Sequence, residues 1–271
     1  MGRGENGLEL MMVDGSVSPK SDEDIERMRA SGQVLAGALT QIENVIGPGT
    51  TTAELDSIAE TYIRDHGGTP SFLGVPSGNT KIDPFPGSIC ASINDVIVHG
   101  IPGSAELAEG DIIGVDCGVI LDGWHSDSAR TFAVGGVSND ASRLIDVTRK
   151  SLCAAIAASV VGGRIGDIGA AVQSLAEEAG FTVMRRFVGH GIGRTMHEAP
   201  QVPNFGLSGS GPVLVAGTTL AIEPMINIGT ADVTFDDDGW TARTADGSLS
   251  AHFEHTVAIT DDGPLVLTDG L

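Results

Sequence analysis

The stretch Gly110–Phe132 (GDIIGVDCGVILDGWHSDSARTF) puts two carboxylates inside apolar runs joined by a tight turn, and this limits the fold more than any other feature of the chain. Ile112 to Leu121 is rich in β-branched residues and reads as a strand, Asp122-Gly123 is a two-residue hairpin turn, and Trp124 to Phe132 reads as the returning strand. Pairing Leu121 with Trp124 sets Asp127 opposite Gly118, with Asp116 two positions along on the same face. The two carboxylates are then diagonal neighbours, roughly 7 to 8 Å apart at their Cα atoms. Ionised and unpaired they repel, unless protons or bound cations neutralise them. Gly118 is expected to leave room between them for an ion. A solvated hairpin face is the plainer reading of two such aspartates alone, and the rest of the chain argues against it.

With 41% of its 271 residues hydrophobic, the chain can bury a sizeable core. No apolar run approaches the roughly 18 residues of a membrane span. The N-terminal segment lacks the apolar core and small-residue cleavage site of a secretory signal, so a cytoplasmic location is expected. Cys90, Cys117 and Cys153 are odd in number and show no CxxC spacing, which points to reduced thiols rather than disulfides or a zinc–thiolate site. A net charge of −21, from 15 basic and 36 acidic residues, argues against nucleic acid or an anionic membrane as partner.

Residues 1–20 are Gly-rich, polar and without periodicity, and read as a flexible N-terminal tail before a single domain over 21–271. Ser21 is placed as an N-cap ahead of the stripe Ile25, Met28, Val34, Leu35 and Leu39, and Thr51 with Glu54 forms a capping box for a second helix. Thr69 to Pro86 reads as a long irregular loop, often a functional feature in a compact domain. Val96 to Val98 is strand-like and ends at His99. Asn139 or Asp140 is expected to cap a third helix, with a fourth over Ile168, Val172, Leu175 and Ala176. The order helix, helix, strands thus occurs twice, and DSIAE at Asp56–Glu60 echoes QSLAE at Gln173–Glu177. This suggests two similar halves facing one another across a site.

The second half adds His190 between Gly189 and Gly191, which are expected to let the backbone approach whatever the imidazole binds. Glu223 follows an apolar run and precedes Pro224, while Glu254 reads as part of an apolar strand, on the same face as Thr256. Asp116, Asp127, His190, Glu223 and Glu254 therefore lie where an unpaired charge is costly, with only Arg130 and Arg194 nearby in sequence to pair them. Bound cations are the economical explanation. Four carboxylates and one imidazole suit two divalent ions sharing carboxylates and a water, about 3.5 to 4 Å apart. Such oxygen-rich ligation favours manganese, iron or cobalt, with zinc also possible, and points to hydrolysis.

These motifs, NDVIVHG, GDIIGVDCGVILDGWHSD, FVGHGIGRTMHEAPQVPN, AIEPM and SAHFEHT, resemble in order and spacing the type I methionine aminopeptidases. The resemblance runs from about Ser21 onward. It implies an α+β pita-bread fold, an antiparallel sheet with helices on its outer face and internal pseudo-two-fold symmetry. It also implies removal of the N-terminal methionine of nascent chains before a small second residue, by a water or hydroxide held between two metals. Asp116, Asp127 and Glu254 would hold one metal, and Asp127, His190, Glu223 and Glu254 the other. His197 would contact the substrate carbonyl, His99 the peptide near the scissile amide, and Glu223 would serve as general base. The methionine pocket maps onto Cys90, His99 and Trp240, with Phe85 close by and Met196 before His197.

Met196 stands where the family usually has an aromatic, Ala199 replaces a common acidic residue, His252 replaces Gln, and the Leu73–Pro86 loop is longer than the usual bacterial form. A monomer is expected, with the N-terminal methionine of nascent chains as the group bound and the ribosome as a candidate partner. An X-prolyl aminopeptidase of the same fold is the nearest alternative, though these usually carry a substantial N-terminal domain. A metal-free binding module is the other, and such proteins typically lose ligands that are all present here.

Overall fold

The first helix begins where Ser21 and Asp24 cap each other. The Ser21 hydroxyl accepts the Asp24 amide at 3.2 Å, and the Asp24 carboxylate accepts the Ser21 amide at 3.2 Å. This is α1 (Asp22–Glu43), and Thr51 with Glu54 opens α2 (Thr52–Asp65) in the same way. The computed structural model describes residues 17–269. Residues 1–16 of the expected tail lie outside the described residues. At Lys20 the chain is already tied down: its amide donates to the Gly217 carbonyl at 2.7 Å and its ammonium pairs with Glu198 at 2.7 Å.

After α2 come β1 (Thr69–Pro70), β2 (Ile89–Ile93), β3 (Val96–Val98), β4 (Ile112–Leu121) and β5 (Trp124–Ala133), then α3 (Asn139–Ala158) and α4 (Ile165–Glu178). The second half continues with β6 (Thr182–Val183), β7 (Gly189–Gly191), β8 (Glu198–Val202), β9 (Thr219–Ile222) and β10 (Met225–Asn227). It closes with β11 (Val233–Phe235), β12 (Ala242–Thr244), β13 (Ser250–His252), β14 (His255–Thr260) and β15 (Gly263–Val266). The cap of α3 is Ser138, not Asn139 or Asp140: its hydroxyl accepts the Ala141 amide at 3.1 Å, and the helix starts one residue later.

In the first sheet β4 pairs with β5 on one edge and with β2 and β1 on the other. Leu121 faces Trp124 and Gly118 faces Asp127, the register the hairpin turn dictates. Alternation along β4 sends Ile113, Val115, Cys117 and Val119 toward the helices, where they pack with Leu35, Leu39, Leu55 and Ile63. Asp116 and Gly118 therefore point to the opposite face. The second half repeats the scheme, with Leu144, Leu152, Ile168 and Val172 of α3 and α4 packed on Leu220, Ile222, Ile226 and Val257. Its main sheet runs β15-β14-β9-β7-β8, with the smaller sheets β13-β10-β6 and β11-β12-β3 beside it. Each half is a helix pair laid on antiparallel strands, and the carboxylates lie between the halves.

Candidate metal centre

Each acidic side chain is placed by a backbone device. Asp127 is clamped by Thr256, whose hydroxyl accepts the Asp127 amide at 2.9 Å and donates to the Asp127 carbonyl at 2.8 Å. Glu223 falls in the break between β9 and β10, and Glu254 in the break between β13 and β14 rather than inside a strand as the sequence suggests. The ladders on either side share one register, Ile222 with His255 and Met225 with His252, which sets Glu223 across from Glu254. Pro224 lacks an amide to continue the ladder. Both segments change sheet at this point, and that change frees two carboxylates to face the hairpin.

His190 sits in β7 between β8 and β9, and its Nδ1 is 2.9 Å from the Gly191 carbonyl oxygen. That contact leaves Nε2 for the site, 3.9 Å from Asp127 Oδ2 and 3.7 Å from Glu223 Oε1. The flanking glycines serve neighbouring backbone rather than a ligand: a Cβ on Gly191 would collide with the Ala199 carbonyl, and one on Gly189 with that of Ala221. The expected gap over Gly118 is likewise filled, because a Cβ there would meet Met196 Cε at 2.6 Å and Ser71 Cβ at 2.8 Å. Met196 packs beside Ile25, Met28, Trp124 and Ile192 as well.

The ligand atoms of Asp127, His190 and Glu254 lie within 4.8 Å of one another, and all three residues are buried. Burial raises every carboxylate of the set. Asp116 is pushed up to about 7 by burial, and Asp127 is raised well above the ordinary carboxylate range by burial and then the charges of Glu254 and Asp116. Glu223 and Glu254 rise by burial and by the other acids of the group. The imidazoles move the other way: His190 falls to about 3 through burial and then His197, and His252 to about 3 through burial and then His99. They cannot neutralise the acids by taking their protons.

No other described side chain supplies the missing positive charge. Among the described residues no Lys or Arg pairs with these four acids; Arg130 lies 3.9 Å from Glu43, and Arg194 stacks over Trp124 at 4.1 Å. Asp116 Oδ1, Asp127 Oδ1 and Glu254 Oε1 are buried without a hydrogen-bond partner. Orphaned acceptors of this kind, beside an imidazole with a free Nε2, fit a divalent cation.

The side chains expected around a substrate gather beside this group. Cys90 pairs with Asp116 across β2 and β4, and is buried on the same face. Trp240 meets Phe85 edge-on at 5.2 Å and His99 at 6.3 Å, and its Nε1 donates to the Asp83 carbonyl at 3.0 Å, tying down the 73–86 loop. Phe187, which sequence reading passed over although it opens the FVGHG motif, meets His99 edge-on at 5.6 Å. His99 has a backbone φ of 61°, a left-handed conformation that a non-glycine residue keeps only when its surroundings hold it there. The rings of His197 and His190 are 4.3 Å apart, which brings His197 to the edge of the same group.

Buried carboxylates faced by imidazoles, and paired with no cationic side chain among the described residues, are the site of a divalent-metal protein. Metallopeptidase family M24 matches residues 26–261, and the chain belongs to that family. It is 51% identical over 249 residues to a methionine aminopeptidase of Clostridium perfringens, covering 92% of this chain and 97% of that protein. It is 49% identical over 261 residues to methionine aminopeptidase 1 of Mycobacterium tuberculosis, covering 94% and 96%. The crystal structure of methionine aminopeptidase from Thermotoga maritima superposes with a TM-score of 0.90 at 40% identity, over 94% of this chain and 100% of that one. Prolidase from Pyrococcus furiosus shares the fold, with a TM-score of 0.75 at 19% identity and 66% of its own chain covered. The architecture is the expected pita-bread fold.

Proposed function

We propose that the chain is a metal-dependent aminopeptidase that removes the N-terminal methionine from nascent polypeptides and prefers a small second residue. The observation that carries this reading is the buried convergence of Asp127, His190 and Glu254. Asp116, Asp127 and Glu254 are assigned to one divalent ion, and Asp127, His190, Glu223 and Glu254 to a second, with Asp127 and Glu254 shared. Cobalt, manganese, iron and zinc all suit the set. Bound there, such ions polarise a carbonyl and make water nucleophilic near neutral pH.

The protein's own groups handle binding and protons. Glu223 takes the proton that the attacking water gives up, at its carboxylate. His197 donates to the carbonyl oxygen of the scissile peptide, where negative charge develops, and His99 hydrogen-bonds the peptide at the scissile amide. The methionine side chain is received by Cys90, Phe85, Trp240 and His99, joined by Phe187, with Met196 bordering the aspartate face. Aromatic faces and a thiol are suited to a soft thioether.

The assigned ligand set is complete within one chain, so the proposed chemistry requires no second copy. The substrate is a nascent chain, which supports a cytoplasmic enzyme working at the ribosome. The charge of −21 favours a peptide over nucleic acid as the group bound. No helix among the described residues is long and apolar enough to cross a membrane. The likeness to prolidase is one of fold alone, and a binding module without chemistry has no use for five intact ligands.

The test is hydrolysis of Met-Ala-Ser against an Ala-Pro peptide, after chelation and re-addition of manganese, cobalt or iron. Release of methionine that depends on added metal is expected. Preferential cleavage of the Ala-Pro peptide contradicts the assignment.

A further inference from the structure

His252 has no part in the assignments above, yet it reaches into the same centre. Its side chain is only 4% exposed, and its Nε2 has no hydrogen-bond partner, lying 3.7 Å from Glu223 Oε2 and 4.0 Å from Glu254 Oε2. From the other side, His190 Nε2 lies 3.7 Å from Glu223 Oε1. One imidazole thus faces each oxygen of the Glu223 carboxylate. His252 is held there by its backbone: its amide donates to Thr131 Oγ1 at 2.8 Å, and the Thr131 hydroxyl donates to its carbonyl at 2.8 Å. Its position in β13, paired with Met225 of β10, fixes it two residues from Glu223 in the partner strand.

An Nε2 that faces carboxylate oxygens carries its proton there, since that tautomer gives those acceptors a donor. The present gap is longer than a hydrogen bond, which for N–H to oxygen spans roughly 2.7–3.2 Å, and a small turn of the Glu223 carboxylate about its soft terminal torsion closes it. We propose that His252 is a positioning residue for the metal centre: its Nε2–H donates to Glu223 Oε2, so that Oε1 is presented beside His190 as a ligand. The assignment rests on the metal-centre reading given above. It gives Glu223 one oxygen fixed by protein and one directed at the metal, and that division suits a residue that also receives a proton. A hydrogen bond to the outer atom of a ligating group commonly sets both its orientation and the affinity of the site.

The test is calorimetric titration of the full-length chain with Mn2+ alone, comparing wild type with His252→Gln and His252→Leu. Gln keeps an N–H donor at similar reach, whereas Leu keeps only bulk. Binding by His252→Leu is expected to weaken roughly 10- to 100-fold, and that by His252→Gln to stay within about threefold. X-ray absorption on Co2+-loaded wild type and His252→Gln is expected to count the same number of imidazole ligands. Binding by His252→Leu within about twofold of wild type overturns the proposal, as does loss of an imidazole from the metal shell of His252→Gln, which makes His252 a direct ligand. Should His252→Leu not fold, the shorter donor in His252→Asn replaces it, with the same weakening expected and binding at the wild-type level again overturning the proposal. A wild-type chain that binds no Mn2+ removes the metal-centre reading itself; a wild type that binds beside an equally competent leucine variant removes only the role of His252.

Discussion

Thr256 grips Asp127 by both of its backbone polar groups, accepting the amide at 2.9 Å and donating to the carbonyl at 2.8 Å. This joins the returning strand of the hairpin to β14 of the second half, at a threonine that is fully buried. Replacing the hydroxyl with a methyl group leaves both Asp127 groups unpaired in the interior, at a cost of about 1–3 kcal/mol for each. Thr256→Val is therefore expected to lower the urea midpoint of the metal-free protein and to weaken Mn2+ binding with it. Thr256→Ser should retain most of both. A valine variant that keeps wild-type stability and affinity would show that the clamp sets neither.

Removal of metal makes stability depend on pH in a defined direction. Asp116, raised to about 7, and Asp127, Glu223 and Glu254, each raised well above the ordinary carboxylate range, have higher folded than unfolded pKa values. Their stabilising contribution is fully present below the unfolded carboxylate range near pH 4 and is lost as pH rises through the folded values. Each group that is forced to ionise costs on the order of 1 kcal/mol per pH unit. The buried imidazoles, His190 and His252 among them, are depressed and act in the opposite sense below the ordinary histidine value near 6.5, so the comparison belongs above it: chelated protein is expected to be harder to unfold at pH 7 than at pH 8.5. Metal-loaded protein should show the reverse, because ligation requires the ionised carboxylates. Denaturant titrations at the two pH values, with EDTA and with Mn2+, measure both, and a chelated protein equally stable at the two would contradict the shifts.

Trp240 is the tie between the substrate side and the 73–86 loop, through its Nε1 bond to the Asp83 carbonyl and its edge contact with Phe85. Trp240→Ala should raise KM for Met-Ala-Ser roughly tenfold or more, on the scale of a lost aromatic contact and hydrogen bond. The loop should also become more open to limited proteolysis. Trp240→Phe restores the ring but not the donor, and is expected to recover KM more than loop protection. Unchanged proteolysis in the alanine variant would detach Trp240 from the loop.

The hairpin was legible in the sequence because its determinants are local. Asp122-Gly123 fixes the turn, the turn fixes the register, and the pleat then brings Asp116 and Asp127 to one face. The N-cap at Ser21 and the capping box at Thr51 were local in the same sense. What escaped depends on chain segments far apart. The sequence places Glu254 in a strand, whereas the structure puts it at a change of sheet that exists only because β9 and β10 run beside β14 and β13. Gly118 suggested an ion's space because nothing in the hairpin itself announces Met196 and Ser71, which fill it. Phe187 gave no periodic signal, and its meeting with His99 is visible only once the halves are assembled. The five proposed ligand positions could be named from motif and chemistry, but the backbone devices that aim them could not.

Asp127 and its neighbours are proposed as the divalent-metal centre on which turnover depends, and one substitution tests this directly. Metal content by elemental analysis and methionine release from Met-Ala-Ser should be measured together on wild type and Asp127→Ala, after chelation and reconstitution with Mn2+. Because Asp127 is assigned to both ions, its loss is expected to abolish stoichiometric metal and to reduce kcat/KM by at least about 10³-fold, on the scale of removing an essential catalytic group. An Asp127→Ala protein that binds Mn2+ as wild type does, or that turns over at a comparable rate, would contradict the account.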